Sequence, residues 1–186
     1  KGAQISWATL HGHKTIENRS MRIKPGWYLL HTGKGSQSAE HQQWMRSVVG
    51  SELPAEAALP HGVIVGALLI VRSLLPPECG GSVWASGPIC NVVGATCTLP
   101  TPMAASGMLG LWKPEATVLE QVRSQLAGAV VARNDVDVFL RGPPAAPSAS
   151  VVVAAAPSAS VVAPLRPSCK YGAACYRINR QHREQF

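Results

Sequence analysis

The sequence predicts a mainly β protein with flanking helices, followed by a linker and a short segment rich in cysteine, tyrosine and basic residues. Three observations indicate this order. Residues 62–75 are the most apolar stretch and end at Pro76-Pro77, as a buried central strand does. Residues 89–99 form a second apolar run of strand length. Residues 141–165 then change abruptly to Pro, Ala, Ser and Val, a composition that cannot form a core.

The first 50 residues are expected to form two helices and two strands. Residues 4–32 are expected to hold a short helix and then both strands. In residues 36–50, Ser38 can cap a second helix, because its hydroxyl can accept from a free backbone N–H of the first turn. The apolar residues of that helix cluster on one side: Trp44, Met45, Val48 and Val49.

Around and after the central strand, the expected elements are shorter. Residues 52–60 are predicted to be a loop or a short helix bounded by prolines, and residues 79–87 a loop. A turn at residues 100–102, Pro-Thr-Pro, is expected to separate the strand at residues 89–99 from another strand at residues 108–112.

The last element before the linker is a predicted helix. Pro114 and Glu115 open it, and apolar residues continue at helical spacing through Val118, Leu119, Val122, Leu126 and Val130. Residues 129–139 fit a further helical turn or a strand, and the pattern does not choose between them.

The charge of the chain points to acidic partners. The 186 residues carry a net charge of +7, concentrated in residues 1–50 and 166–186, and such basic regions favour contacts with polyanions.

The apolar run at residues 63–71 is too short to span a bilayer, so no membrane partner is expected. Five cysteines do not suggest a disulfide framework, which favours a reducing compartment. The sequence lacks a phosphate-cradling glycine loop, a nucleophile elbow and a Ser-His-Asp arrangement.

A charged stretch near the start carries the first candidate site. Residues 12–20 hold Lys14, Glu17 and Arg19 within six positions. In a strand, Glu17 and Arg19 share one face because side chains alternate, and Lys14 can lean over the same site from the preceding turn. Two cations and one carboxylate there would hold an anion or a polarised base edge, with Glu17 tying the cations in place. The alternative is an exposed strand with solvated charges.

The pattern Gly-x-Lys-x-x-Glu-x-Arg, which begins at Gly12, resembles the signature of the ASCH (activating-signal-cointegrator homology) family, relatives of the PUA-like RNA-binding barrels. The resemblance covers about residues 3–113. The order of the other segments resembles that family too: a short apolar helix at residues 5–10, strands at residues 25–32 and 62–66, and a closing strand at residues 107–112.

The ASCH resemblance implies a PUA-like β-barrel within a domain at residues 1–140. Its cleft, lined by Lys14, Glu17 and Arg19, is then expected to bind RNA or a modified nucleotide. On this interpretation His31, Trp7, Trp27 and Trp112 lie near the signature or in the barrel core, and one of the tryptophans could instead line a nucleobase pocket.

Two other functions stay open for this part of the chain. Bacterial proteins similar to the ASCH family hydrolyse the amide of N4-acetylcytidine with a Lys, a Thr three residues later and a distant Glu. Here Lys14 matches the lysine, Glu17 stands at the threonine position, and Glu78 is the candidate for the distant glutamate. Lys14 and Glu17 would then be catalytic, with Glu17 as a base. The third hypothesis is a coactivator-like protein-interaction module. We favour a binding protein over an enzyme.

A linker is predicted at residues 141–165. The heptapeptide Ala-Pro-Ser-Ala-Ser-Val-Val occurs at residues 146–152 and again at residues 156–162, without charge or aromatic side chains. A semi-extended connection is the simpler interpretation, and a hydrophobic partner-docking segment is the alternative.

The second candidate site follows the linker, at residues 166–186. Cys169 and Cys175 enclose five residues, and His182 follows after six more. Thiolate and imidazole suit tetrahedral Zn²⁺, and a segment this short cannot fold on hydrophobic burial alone. These three residues are therefore candidate metal ligands. The alternative is a structural zinc knuckle or a chance Cys/His tail. By contrast, Cys79, Cys90 and Cys97 have no metal-like spacing and are expected to be buried thiols.

The string Cys-x-Tyr-Gly-x-x-Cys-Tyr-Arg, which starts at Cys169, resembles the poly(ADP-ribose)-binding zinc finger, or PBZ finger. The resemblance implies that Tyr171, Tyr176 and Arg177 contact poly(ADP-ribose). Aromatic faces can stack on adenine, and an arginine can pair with pyrophosphate. The family places a fourth ligand, a His, two residues beyond Phe186, so the finger is expected to be incomplete here. The resemblance also implies a role in DNA-damage or ADP-ribose signalling and a nuclear location, with the cytoplasm as the alternative.

Overall fold

The computed structural model describes residues 1–136, and residues 137–186 lie outside its description. The elements, in chain order, are helix α1 (Ala3–Leu10), strands β1 (Ile16–Arg19) and β2 (Gly26–His31), helix α2 (Ala39–Val49), strands β3 (Val63–Leu74) and β4 (Ile89–Ala104), helix α3 (Ala116–Leu126) and strand β5 (Val131–Arg133). Two short 3-10 helices, Glu56–Ala58 and Pro76–Cys79, lie on either side of β3. The described part is therefore mainly β with a few helices, as predicted.

All five strands belong to one antiparallel sheet with the order β1-β4-β3-β2, and β5 pairs with β4. The apolar run predicted as the central strand is β3, which lies between β2 and β4. Asn91 of β4 is fully buried and ties the sheet together. Its side chain accepts from the Ile23 backbone N–H and the Ser73 hydroxyl, and it donates to the Glu17 carbonyl. The position of β1 beside β4 is thus fixed by both ladder and side-chain hydrogen bonds.

The closed barrel that the ASCH resemblance implies is not what the described residues form. Among residues 1–136, β1 and β2 do not pair with each other, so the sheet stays open at these two edges. The expected closing strand at residues 108–112 is wrong, because this segment forms bends and no ladder. Gly110 has φ +81°, a left-handed conformation that interrupts an extended strand, and the side chains of Met108 and Leu109 are exposed.

The expected turn at residues 100–102 is also wrong, since β4 runs without a break through both prolines. Thr98 pairs with Gly66 and Met103 pairs with Ile64, so residues 99–102 lie opposite Val65 alone. This bulge accommodates the prolines because bulged residues do not need to donate to the ladder. The strand expected at residues 89–99 therefore continues to Ala104.

The three predicted helices are present. Ser38 caps α2 by accepting from the His41 backbone N–H, as expected, and Met45 is buried. Helix α3 ends at Leu126, earlier than predicted, and Val122 packs in a cluster with Ile64 and Leu99. Where the pattern allowed a helix or a strand, the structure has β5. None of the helices in residues 1–136 combines the length and apolar character needed to cross a bilayer.

Candidate functional site

The structure brings Lys14, Glu17 and Arg19 together and adds Lys1. Arg19 Nε donates to Glu17 Oε1 at 2.9 Å, Lys14 Nζ lies 3.6 Å from Glu17 Oε2, and Lys1 Nζ donates to the same oxygen. The carboxylate of Glu17 thus holds three cations at one point, with two positive charges in excess. We call these four residues the charged cluster.

Local backbone geometry explains how the charged cluster forms. Gly12 has φ +79° and lets the chain turn sharply between α1 and β1, which a residue with a Cβ would resist. The turn is held by the Lys14 backbone N–H, which donates to the Ala8 carbonyl at 3.0 Å. Lys14 lies two residues before β1, and its side chain reaches Glu17 from there. Its ammonium also donates to the Ile16 carbonyl. Ile16 is fully buried on the opposite face, so the alternation of β1 directs Glu17 and Arg19 to the cluster.

Lys1 is placed by the end of β2. Its backbone nitrogen donates to the His31 carbonyl at 3.1 Å, and its own carbonyl accepts from the Gly33 N–H. Lys1 was missed by sequence reasoning, because sixteen residues separate it from Glu17 and no local periodicity connects the two.

Burial dominates the electrostatics of the cluster. Lys14 is 5% exposed and Glu17 is 6% exposed. Burial, together with repulsion from Lys1, lowers the pKa of Lys14 to about 8, although Glu17 attracts its proton. Burial alone would raise the pKa of Glu17, but the charges of Lys1 and Lys14 outweigh it and hold the pKa below its ordinary value. The cluster therefore contains an ionised carboxylate and an amine that loses its proton just above neutral pH.

Lys14 is expected to contribute stability that increases as the pH rises above about 8. Its pKa is about 8 in the folded protein and near 10.5 in the unfolded chain. Between these values the unfolded chain binds more protons, so the free energy of unfolding rises with pH, by roughly 3 kcal/mol in full. Denaturant unfolding on both sides of this window measures the rise. Burial raises the pKa of the Cys79, Cys90 and Cys97 thiols and acts in the opposite sense. The contribution of Lys14 is therefore measured as the stability of wild type minus that of Lys14→Met. This difference is expected to grow across the window, and a difference that stays constant would contradict the burial of a charged Lys14.

Arg19 differs from the two lysines because part of its guanidinium is open. Its Nε–H is used by Glu17, while its two terminal nitrogens have no hydrogen-bond partner among residues 1–136. Its side chain is 32% exposed, compared with 6% for that of Lys14. A guanidinium held on one side by a carboxylate can still bind an oxyanion with its remaining N–H groups. Arg19 therefore supplies the accessible anion-binding group of the cluster.

The charged cluster lies in an open cleft of about 820 Å³. Both free edges of the sheet line it: Glu17, Asn18 and Arg19 come from β1, and residues 27–31 come from β2. The residues that precede α3 supply another part of the lining, including Met108, Leu109 and Leu111. We call these three residues the apolar rim, since each is exposed and Leu109 is fully so. The gap left by the unclosed sheet is thus a cleft with a cationic part and an apolar part.

His31 positions the segment that carries the apolar rim. One of its ring nitrogens is 3.0 Å from the Ala105 carbonyl oxygen, and its ring meets that of Trp112 edge to face at 5.6 Å. Gly107 lies so close that a Cβ there would come within 2.5 Å of the His31 ring. The segment is therefore packed on β2 at three points, and a side chain at residue 107 would displace it.

The tryptophans only partly meet the expectation of core positions. Trp27 is 49% exposed on the cleft, so that expectation is wrong for it. Trp112 is half-buried on the same cleft, and Trp7 is half-buried between stacked rings of His11 and His13. The alternative, a tryptophan that lines a pocket, fits Trp27 and Trp112. Trp27 lies on the face of β2 opposite the buried Leu30, and no signal in the sequence indicated this because both faces of the strand carry apolar residues.

The glutamate needed for the amidohydrolase hypothesis is elsewhere. Glu78 accepts from the Leu75 backbone N–H at 2.6 Å and caps the second 3-10 helix, and it does not line the cleft.

Cys79, Cys90 and Cys97 are buried free thiols, as expected, and burial raises the pKa of Cys79 to about 12. Residues 1–136 contain no group of three or more His, Cys, Asp or Glu side chains that could hold a metal ion.

Residues 166–186 match the family model of the PBZ domain, a zinc finger of the CCHH type. No curated protein matches the chain. The ASCH resemblance of residues 3–113 has no support from the PBZ match and stays a prediction. The C-terminal segment is therefore similar to a poly(ADP-ribose)-binding zinc finger, and its resemblance to that family is confirmed.

PBZ zinc fingers bind Zn²⁺, in agreement with the metal predicted for this segment. The donor chemistry fits, because two thiolates and an imidazole are ligands that tetrahedral zinc accepts. Cys169, Cys175 and His182 would hold the metal, and the bound ion would fold the segment around it. These three residues lie outside the described residues, as do the predicted polymer contacts Tyr171, Tyr176 and Arg177, so their individual roles stay predictions.

Proposed function

We propose that the chain is a binding protein with two ligands, in which the PBZ segment reads poly(ADP-ribose) and the cleft binds RNA or a modified nucleotide. The match of residues 166–186 to the PBZ domain carries the first part. Tyr171 and Tyr176 would stack on adenine, and Arg177 would pair with pyrophosphate. Attachment to poly(ADP-ribose) would bring the cleft to sites of DNA-damage or ADP-ribose signalling, hence to the nucleus.

The open guanidinium of Arg19 supports the second part of the proposal. It projects positive charge into a cleft that also exposes Trp27 and the apolar rim. Nucleotides combine an anionic phosphate with an aromatic base, so one ligand can use both parts of the cleft. The ASCH resemblance of residues 12–20 agrees with this use, with Lys14, Glu17 and Arg19 as the binding residues.

Arg19→Gln is expected to weaken binding of a short RNA to the cleft by about tenfold or more, because it removes a charge-assisted contact worth about 1.5–3 kcal/mol. The titration is made with Tyr176→Ala and Arg177→Ala also present, so that the zinc finger does not contribute. Lys24→Gln is the matched control: it removes one exposed charge that does not line the cleft. If the finger-silenced parent, its Arg19→Gln variant and its Lys24→Gln variant bound RNA with equal affinity, the nucleic-acid site would be rejected and the protein-interaction module favoured.

A second candidate function is hydrolysis of an N4-acetylcytidine-type nucleoside. The observation that favours it is Lys14, a buried amine on the cleft whose pKa is lowered to about 8 by burial and by Lys1. Such an amine can serve as a general base near neutral pH. Acetate release from N4-acetylcytidine, abolished by Lys14→Met, is the expected result. Absence of release by the folded wild-type protein would reject this candidate.

A further inference from the structure

The distribution of charge in the cleft separates two kinds of nucleic-acid ligand. A polynucleotide carries one charge per phosphate and is usually followed by a series of cations along a groove. A terminal phosphate monoester instead concentrates nearly two charges on one group above its second pKa of about 6. The two ligands therefore require different arrangements of lysine and arginine.

In this cleft the cations meet at one point. Lys1, Lys14 and Arg19 all contact Glu17, which leaves two uncompensated positive charges in one place. Lys113 is a further cation on the cleft lining, whereas the neighbouring Arg22 donates to the Ser73 carbonyl at 2.8 Å and does not line the cleft. Among residues 1–136 the positive charge of the lining is therefore concentrated at one place and is not spread along the cleft as a row of cations.

Resting on the nucleotide-binding function proposed above, we infer that the cleft takes the terminal phosphate monoester of a single nucleotide, with the phosphate on the open guanidinium of Arg19, beside the buried Lys14, and the base against Trp27 and the apolar rim. With both lysines protonated, the cluster has two positive charges more than Glu17 neutralises, which suits a dianion better than the single charge of a phosphodiester or a carboxylate. A volume of about 820 Å³ also lies in the range of small-ligand sites, roughly 300–1,000 Å³.

The apolar rim explains why the ligand carries a base as well as a phosphate. Leu109 is 101% exposed and Met108 is 68% exposed, beside a Trp27 that is half-exposed. Covering such a group of apolar side chains with a ligand removes apolar surface from water and so favours binding. A base stacked on an aromatic ring contributes about 1–3 kcal/mol to the binding free energy. Inorganic phosphate alone is therefore expected to bind more weakly than a nucleotide.

Two sources could supply this chemistry, a free mononucleotide or the phosphorylated end of a strand. The test uses the full chain with Tyr176→Ala and Arg177→Ala, which silence the zinc finger. The probes are the four nucleoside 5′-monophosphates, the matching nucleosides, inorganic phosphate, and one RNA decamer with and without a 5′ phosphate. Calorimetric titration at several salt concentrations measures the affinity and its salt dependence.

The inference predicts that a nucleoside 5′-monophosphate binds at least about tenfold more tightly than its nucleoside, with a log–log salt slope of about −1 to −2. Arg19→Lys, which keeps the charge and loses the planar fork, is expected to remove most of that advantage, while Lys24→Gln leaves it unchanged. Binding of the phosphorylated decamer with the affinity of the mononucleotide would identify a strand end as the source. Failure of the phosphorylated decamer to bind would identify the free nucleotide.

Two other results would overturn the inference in distinguishable ways. Equal binding of the decamers with and without a terminal phosphate, with a steep salt slope, would reject the terminal phosphate and leave the proposed RNA-binding function intact. Absence of binding by every nucleotide and RNA probe, with a normal unfolding transition, would reject both the inference and the nucleotide-binding function of the cleft.

Discussion

Replacing Tyr176 and Arg177 together by alanine is expected to weaken poly(ADP-ribose) binding by about 60-fold or more. Stacking on an aromatic ring contributes about 1–3 kcal/mol per base, and a charge-assisted hydrogen bond about 1.5–3 kcal/mol. The two losses together come to about 2.5–6 kcal/mol, and the lower value corresponds to about 60-fold in affinity. Titration of a defined polymer against zinc-loaded wild type and double variant measures the effect.

The control for this prediction is Arg183→Ala in the same segment. Arg183 adds to the basic charge of residues 166–186 but has no assigned place in the PBZ motif. Its loss is expected to reduce affinity only slightly and to reduce the salt slope by about one. A double variant no weaker than Arg183→Ala would show that Tyr176 and Arg177 act as part of a basic tail and do not recognise the polymer.

Glu17→Gln is expected to destabilise the fold by about 3–5 kcal/mol. Glu17 is the common partner of Lys1, Lys14 and Arg19, and its removal leaves buried cations without a counter-charge. Removing one partner of a buried ion pair has this cost because the remaining charge is already desolvated. The loss is a large fraction of the roughly 5–15 kcal/mol that stabilises an ordinary domain. Denaturant unfolding at neutral pH measures it.

A matched control is Glu120→Gln, on the exposed face of α3, where the carboxylate has no ion-pair partner among residues 1–136. This substitution is expected to change stability by less than about 0.5 kcal/mol. Glu17→Gln is also expected to lower the pKa of Lys14 further, because Glu17 is the group that raises it. A Glu17→Gln protein as stable as the control would mean that the three cations are solvated and that the cluster is not buried.

Local patterns predicted the parts of the site that lie close together in sequence. Glu17 and Arg19 share a face because strand side chains alternate, and Lys14 reaches them from a turn that Gly12 permits. The same reasoning located α2, through Ser38 and its apolar side, and the central strand β3. In each case the interaction spans a few residues, so composition and spacing contain the necessary information.

The parts that sequence reasoning missed depend on pairings between distant residues. Lys1 joins the cluster because hydrogen bonds place it beside His31, thirty positions away. The prolines at residues 100 and 102 usually end a strand, yet β4 continues because Val65 alone lies opposite a four-residue bulge. The segment at residues 108–112 has the composition of a strand, but Gly110 and packing on His31 hold it outside the sheet. Tertiary contacts overrode local preference at all three places.

The most direct measurement is a titration of the zinc-loaded protein with defined poly(ADP-ribose) chains and with RNA of equal charge at the same salt concentration. A PBZ reader is expected to prefer poly(ADP-ribose) by about tenfold or more and to lose this preference when zinc is chelated. Equal binding of both polymers, unaffected by chelation, would contradict poly(ADP-ribose) reading and reduce residues 166–186 to a basic patch.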